Sequence, residues 1–450
     1  MKSIGHIIKV AILSTLIAAC GGGGDSGSRD SGYSGNNDGN DTNVPAEPSR
    51  LVWDTQLPVA SFAYYSSVAL STDEQTLYVG TAKNVRNPSA GNDVVAAYNV
   101  DGSILWQHSL PNGEEVRSSP VVNNDTIYVL VEKRTGEFTK AYRDLIALNS
   151  IGAQIWRKRV STYPNQTGSG LSKVVAYNNQ IIYTGLDIYA FDAATGDVLY
   201  ERLCHCSERQ DRFMNGAVNH NGELVFFDEG KVLKLNLTDY TLLGEFKDAE
   251  TFEYDLVLST PAIDSNNNIY FGSEAGILYS FDDNLALRWR FELGTPDVIE
   301  APHIRSSVAI DESRSTLYFG TKSNENSEFY ALDMNDKSVK WQVAIPGDIY
   351  VSPAIGDNGN VYFASETDYL YSYNPAGELV WQVDLEVNVT WSSPAIDSNG
   401  ILYIGGLSSS DLSASDATGK LFAIQTDSTE LMPNTWSKLH KNNQNTGAGQ

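Results

Sequence analysis

The sequence predicts an all-β fold, an eight-bladed β-propeller built from four-stranded antiparallel blades. Two observations carry that expectation. A unit of small residues, an Asn/Asp/Gly turn and an aromatic strand recurs at residues 259–272 (STPAIDSNNNIYFG), 306–320 (SSVAIDESRSTLYFG), 351–364 (VSPAIGDNGNVYFA) and 392–405 (SSPAIDSNGILYIG). Each copy is followed by a strand of the Leu-Tyr-Ser-Phe-Asp type and then by one ending near Trp, and self-similarity at about 40 to 50 residues is the mark of a propeller or solenoid. Short runs of alternating polarity separated by Gly, Asn and Asp are what tight β-hairpins require.

The chain opens on a targeting segment, residues 1–19, with Lys2 and Lys9 before an apolar run. That run is shorter than the roughly 20 residues of a spanning helix. It ends in Leu-Ile-Ala-Ala-Cys20, which resembles the bacterial lipobox. The resemblance implies cleavage before Cys20, lipidation of Cys20 and a lipid-anchored protein. Gly21, not Asp, follows, which resembles the class sorted to the outer membrane of Gram-negative bacteria, facing the periplasm or the cell surface. Residues 20–49 are rich in Gly, Ser, Asp and Asn and carry little that could offset the entropy of ordering. They read as a flexible tether with a reach of about 30 Å.

Residues 50–430 hold the repeats, and 431–450 form a C-terminal tail. In each blade, strands A to D run from the axis outward. The A strands are expected at 66–70, 118–122, 173–176, 215–218, 259–263, 306–310, 351–355 and 392–396, where Ser, Pro and Ala suit a crowded axis. The D strands end at Trp53, Trp106, Trp156, Tyr200, Phe246, Trp289, Trp341 and Trp381, large rings that fill the widening gap between blades. The first D strand precedes any A strand, and the last repeat lacks its own. The N-terminal strand is therefore expected to complete blade 8 and remove two exposed edges.

The chain carries 56 acidic against 31 basic residues, a formal charge of −25. Nucleic acid and anionic lipid both need a basic footprint, so neither is the expected ligand. The long connections, 81–93, 132–143, 407–419, 158–172 and 201–213, all fall on the face of the B–C loops and D–A connections. Function favours such loops on a rigid scaffold. Arg134, Arg143, Arg157, Lys158 and Arg159 gather beside them and are the candidate partner-binding residues.

Cys20, Cys204 and Cys206 are the three cysteines. In an oxidising compartment the first reading of Cys204 and Cys206 is a disulfide, in a short and strained ring. The sharper alternative, a Cys-His-Cys metal site, needs a fourth ligand such as His220 or Asp211. Asp264-Ser-Asn-Asn-Asn268 opens like a calcium loop but lacks its Gly and distal Glu, and reads as a hairpin turn. His303 and His440 read as surface or packing residues. No Ser-His-Asp order, nucleophile elbow or phosphate loop is present, so no catalytic residue and no metal site is expected.

The units 277–282 (ILYSFD), 328–333 (EFYALD) and 420–424 (KLFAI) resemble the quinoprotein, or PQQ-like, propeller repeat. The tail segment 436–447 (WSKLHKNNQNTG) is similar to a W-x-x-x-[RH]-x-[DN]-x-x-x-T-G element of that superfamily. Taken with the lipobox, the resemblance extends to BamB-type lipoproteins of outer-membrane assembly. It implies a non-catalytic scaffold whose partners are proteins of the cell envelope, with membrane contact only through Cys20. The alternative it implies is a periplasmic quinone- or metal-dependent oxidoreductase. Quinone-using members combine a calcium site, a base Asp in the funnel and often a disulfide of adjacent cysteines. Cys204 and Cys206 are not adjacent, and pyrroloquinoline quinone is not expected.

Overall fold

The computed structural model describes residues 49–449 except 59–60, 63–65, 84–91, 135–139, 162–172, 186, 204–214, 229–230, 248–258, 295–301, 324–326, 390–391 and 408–417. Residues 1–48 lie outside the described residues.

Among the described residues eight antiparallel blade sheets follow one another, and all but the last have their strands in sequence order. Blade 1 pairs Ala69–Leu70, Thr76–Gly80, Val94–Asn99 and Ile104–Ser109. Blade 8 takes Ala395–Ile396, Ile401–Leu407 and Gly419–Gln425 from the end of the chain and Leu51–Gln56 from its start. The register sets Trp53 opposite Ala423 and Gln56 opposite Lys420. The expected closure is thus present, and it hides one edge each of strands 51–56 and 419–425.

The A–B hairpins show why the repeat needs its Asp and Tyr. Asp397 Oδ1 accepts from the backbone N–H of Asn399 and Ile401, both at 2.9 Å, and Oδ2 accepts from the Tyr403 hydroxyl at 2.9 Å. Asp264 does the same with Asn266, Asn268 and Tyr270, so the calcium-like run is a side-chain-capped turn. Burying Tyr403 and Tyr270 is tolerable because each hydroxyl finds this carboxylate.

The apolar cores lie between blades. One cluster joins Val68, Leu77 and Tyr98 of blade 1 to Tyr403 and Ala423 of blade 8, with Trp53 packed on its rim. Where blades 3 and 4 lack a D-strand Trp, other ring pairs substitute. Tyr200 stacks on Tyr240 with centroids 4.8 Å apart, and Phe246 meets Phe281 edge-on at 4.8 Å.

Three features differ from the sequence reading. Most A ladders are shorter than expected, as in Ala262–Ile263 and Ala395–Ile396, because the preceding Ser and Thr residues bond across the ring. In blade 2, Glu114–Val116 and Val121–Asn123 both pair with Thr126–Arg134, on either side of the Ser-Ser-Pro segment. A small extra ladder joins Ser61–Phe62 to Ala82–Lys83.

Candidate functional site

The axis is lined by the residues that open each A strand. The first hydroxyl stays within its blade: Ser66, Ser118, Ser259, Ser306 and Ser392 accept from the backbone N–H of Gly80, Leu130, Gly272, Gly320 and Gly405. The next residue reaches to the neighbouring blade. Thr260 N–H donates to Ser307 Oγ (2.8 Å), Ser307 to Ser352 (2.9 Å) and Ser352 to Ser393 (3.0 Å). Ser393 then donates to Ser67 (2.9 Å) and Ser67 to Ser119 (3.0 Å). A hydroxyl collar thus links blades 5, 6, 7, 8, 1 and 2. The equivalent positions in blades 3 and 4 are Lys173 and Asn215, and an ammonium cannot accept. The collar stops there, although Asn215 Nδ2 donates onward to the Ser259 carbonyl at 3.3 Å.

The C-terminal tail closes the turn-side end of the axis. Its carbonyls at Trp436, Ser437, Asn443, Gln444, Thr446 and Gly447 accept from Ile310, Ile355, Leu70, Val122, Ala176 and Val218 at 2.8 to 2.9 Å. Asn443 serves blade 8 through its side chain, accepting from Ile396 N–H and donating to the Ile396 carbonyl at 2.6 Å. Asn445 Nδ2 spans the carbonyls of Val68 and Pro120. The inner edges of seven blades are satisfied by one segment, which a buried backbone demands. Over this plug, a cavity of about 200 Å³ opens at the turn face between Glu74, Glu430, Asn434 and Lys441.

Three basic groups meet where plug and collar join, Lys438 and His440 buried and Lys173 half-buried. Lys438 has no exposed surface, and its Nζ donates to Asn445 Oδ1 (2.6 Å) and the Asn442 carbonyl (3.2 Å). Burial pushes its pKa down to about 7. Burial likewise brings Lys173 down to about 8. His440 is buried, its Nδ1 has no hydrogen-bond partner among the described residues, and burial, then Lys173 and Lys438, hold it well below the ordinary imidazole range.

Of the sequence-derived candidates, Cys20, Cys204 and Cys206 lie outside the described residues, as do most residues of the long loops. Arg134 ends strand Thr126–Arg134, and its side chain is likewise outside them. Each of the other four basic residues has a carboxylate beside it. Arg143 is 6% exposed and its Nε donates to Glu132 at 2.7 Å, while Arg157 binds Glu114 at 2.8 Å and also Asp144. Arg159 pairs with Asp144 and stacks 3.7 Å over the Tyr142 ring; Lys158 lies 4.0 Å from Asp197. Arg117 and Glu115 add a further pair at 2.6 Å. The physical reason is register: Glu132 sits opposite Arg143 and Asp144 opposite Arg159 on paired strands. His303 pairs through its backbone with Lys322 and turns Nδ1 to the Glu274 carbonyl. Among the described residues no three His, Cys, Asp or Glu side chains converge as a metal site.

The family profile described as outer membrane protein assembly factor BamB matches residues 46–251 and 274–444. The chain belongs to the BamB family. No curated protein sequence matches it. The solved structure of BamB from Moraxella catarrhalis is similar, at 14% identity and a TM-score of 0.55, covering 83% of this chain and 98% of that one. The computationally designed protein Ika8 matches at 14% identity and TM-score 0.53, covering 82% and 100%. The quinohemoprotein alcohol dehydrogenase of Comamonas testosteroni matches at 12% identity and TM-score 0.55, covering 86% and 77%. At these identities the structural likenesses establish the fold.

In this BamB-family propeller the sequence reading missed the axial group. Lys173 was visible as a lysine in a position held by Ser, Thr or Asn in the other blades. Lys438 and His440 gave no comparable signal, because nothing local in the tail says that it will be buried. Chemically, the collar offers hydroxyls, one amide and one amine, and the plug offers a second amine and an imidazole.

Proposed function

We propose that this BamB-family protein is a non-catalytic scaffold of the outer membrane, anchored through lipid on Cys20, that docks envelope proteins during outer-membrane protein assembly. The family match across both halves of the ring carries this reading. Two further observations support it. A ring fastened at both chain ends is a platform for binding loops, and the strand ends that flank the long connections of blades 8, 1 and 2 share one face of it. The acidic balance suits protein partners over nucleic acid.

Cross-linking in intact cells, followed by purification from outer membranes, tests the assignment. Recovery of the outer-membrane assembly complex, with lower levels of β-barrel proteins in a deletion strain, is the expected result. The oxidoreductase alternative shares its fold with the quinohemoprotein neighbour. Absorbance and metal analysis of the purified protein address it directly. A stoichiometric quinone or metal would overturn the scaffold reading.

A further inference from the structure

The scaffold role makes no use of Lys173, Lys438 and His440, yet the fold bears the cost of burying them. The three sit together. Thr446 accepts from Ala176, which brings the tail against the A strand of blade 3. A Cβ on Gly447 would lie 3.3 Å from Val175 and 3.6 Å from His440 Nδ1, so the imidazole lies beside that strand. Lys173 is two residues before Val175 and shares its side of the strand.

Among the described residues nothing acidic answers them. The charges acting on His440 are Lys173 and Lys438, both positive, and burial alone acts on the two lysines. The next tail residue, Lys441, is the one that feels Glu312. Lys438 meets two neutral oxygens, which leaves one of its three N–H donors over. His440 Nδ1 is buried and unbonded among the described residues. Lys173 keeps part of its surface accessible, so the group is reachable from the axis. Cations taken out of water without a countercharge are unfavourable.

We propose that Lys173, Lys438 and His440 form an axial binding site for a small oxyanion, a carboxylate or a sulfate- or phosphate-type group. The anion takes hydrogen bonds from the two ammonium groups and from His440 Nδ1 in its N–H form. It supplies the countercharge that the protein omits. Because the bound anion favours the charged lysines, binding takes up protons, and affinity falls as pH rises through the range where they titrate.

Titration calorimetry on the full chain in detergent tests this, with sodium sulfate and sodium acetate as probes at pH 6 and pH 9. Sulfate keeps its charge across this range. The expected result is saturable one-site binding of at least one anion at pH 6, weaker by about tenfold or more at pH 9. Acetate binding without sulfate binding assigns the site to carboxylates; the reverse assigns it to tetrahedral oxyanions. Lys173→Ser restores the collar hydroxyl, so it should melt at or above the parent temperature while binding falls by about tenfold or more. Lys231→Met, at an outer-strand ion pair, serves as a control and should bind like the parent. Absence of saturable binding by either anion at pH 6, or equal binding by Lys173→Ser and parent, would overturn the proposal.

Discussion

The indole N–H of Trp106 donates to the carbonyl oxygen of Ser150, 2.8 Å away across the boundary between blades 1 and 2. The same bond joins Trp53 to Val100, Trp156 to Ala193 and Trp341 to Pro375. Beneath the Trp106 ring lies Gly152, with φ of +80°, and a Cβ there would come within 2.6 Å of the ring. Ring and glycine are two halves of one joint. Gly152→Ala should lower the unfolding free energy by about 2 to 3 kcal/mol, from left-handed strain plus the clash. Denaturant midpoints measure it. Gly244→Ala, whose Cβ would meet nothing nearer than 3.8 Å, should stay within about 1 kcal/mol of the parent.

Closure makes the two chain ends interdependent. Deleting residues 50–56 removes the fourth strand of blade 8 and the Trp53 bond to blade 1. The shortened protein should melt well below the parent and aggregate through the bared edge of strand Gly419–Gln425. Scanning calorimetry with light scattering shows it. Parent-like melting would mean that this strand does not fasten the ring.

Removing residues 433–450 should be at least as damaging, because it strips acceptors from six inner-strand amides, Leu70 and Val122 among them. Each unpaired buried N–H costs about 1 to 3 kcal/mol. Hydrogen exchange at Leu70, Val122, Ala176 and Val218 should approach that of surface turns, with loss of the near-ultraviolet dichroism of packed rings.

The ring was legible in the sequence because its determinants are local and repeated. Each Asp–Tyr hairpin and each D-strand Trp announces itself within one period, and the unmatched first and last strands announce closure. The blade 2 network was not legible. Arg143 and Arg159 look like free charges until strand register sets Glu132 and Asp144 opposite them. The axial group was hidden for a different reason. The tail has the composition of a solvated terminus, and only the empty inner edges of seven blades give it somewhere to be buried.

That network alters what a variant at Arg143 reports. Glu132 has no exposed surface and is held by Arg143 at 2.7 Å and Arg117 at 3.5 Å. Arg143→Met leaves a buried carboxylate short of a partner and should cost about 3 to 5 kcal/mol. The double variant Arg143→Met/Glu132→Leu should recover most of that loss. Lys158 is more exposed and bears on Asp197 at 4.0 Å, so Lys158→Glu should change stability by less than about 1 kcal/mol. Weaker partner recovery from a Lys158 variant would therefore report docking, whereas the same loss from Arg143→Met would report folding.

The axial lysines give the propeller an unusual response to alkali. Lys438 falls from an ordinary 10.5 to about 7 on folding, and Lys173 to about 8. Between those values and 10.5 the unfolded chain holds more protons than the folded one. Stability therefore rises with pH in this window, by at most about 1.4 kcal/mol per pH unit for each group. Below about pH 7 both states carry the Lys438 proton, and the full cost of burying the charge is present. His440, also depressed, adds the same sign at lower pH. The rise ends where tyrosines take over: burial holds Tyr98, Tyr270 and Tyr318 protonated in the fold, whereas in the unfolded chain they ionise near pH 10. Urea unfolding in chloride buffers at pH 7, 8 and 9 should show the midpoint climbing at each step. Lys438→Met keeps the stem buried and removes the proton, so its midpoint should climb less steeply and start higher at pH 7. A parent profile that is flat or falls from pH 7 to 9 would mean that the lysines are charged and paired in the fold.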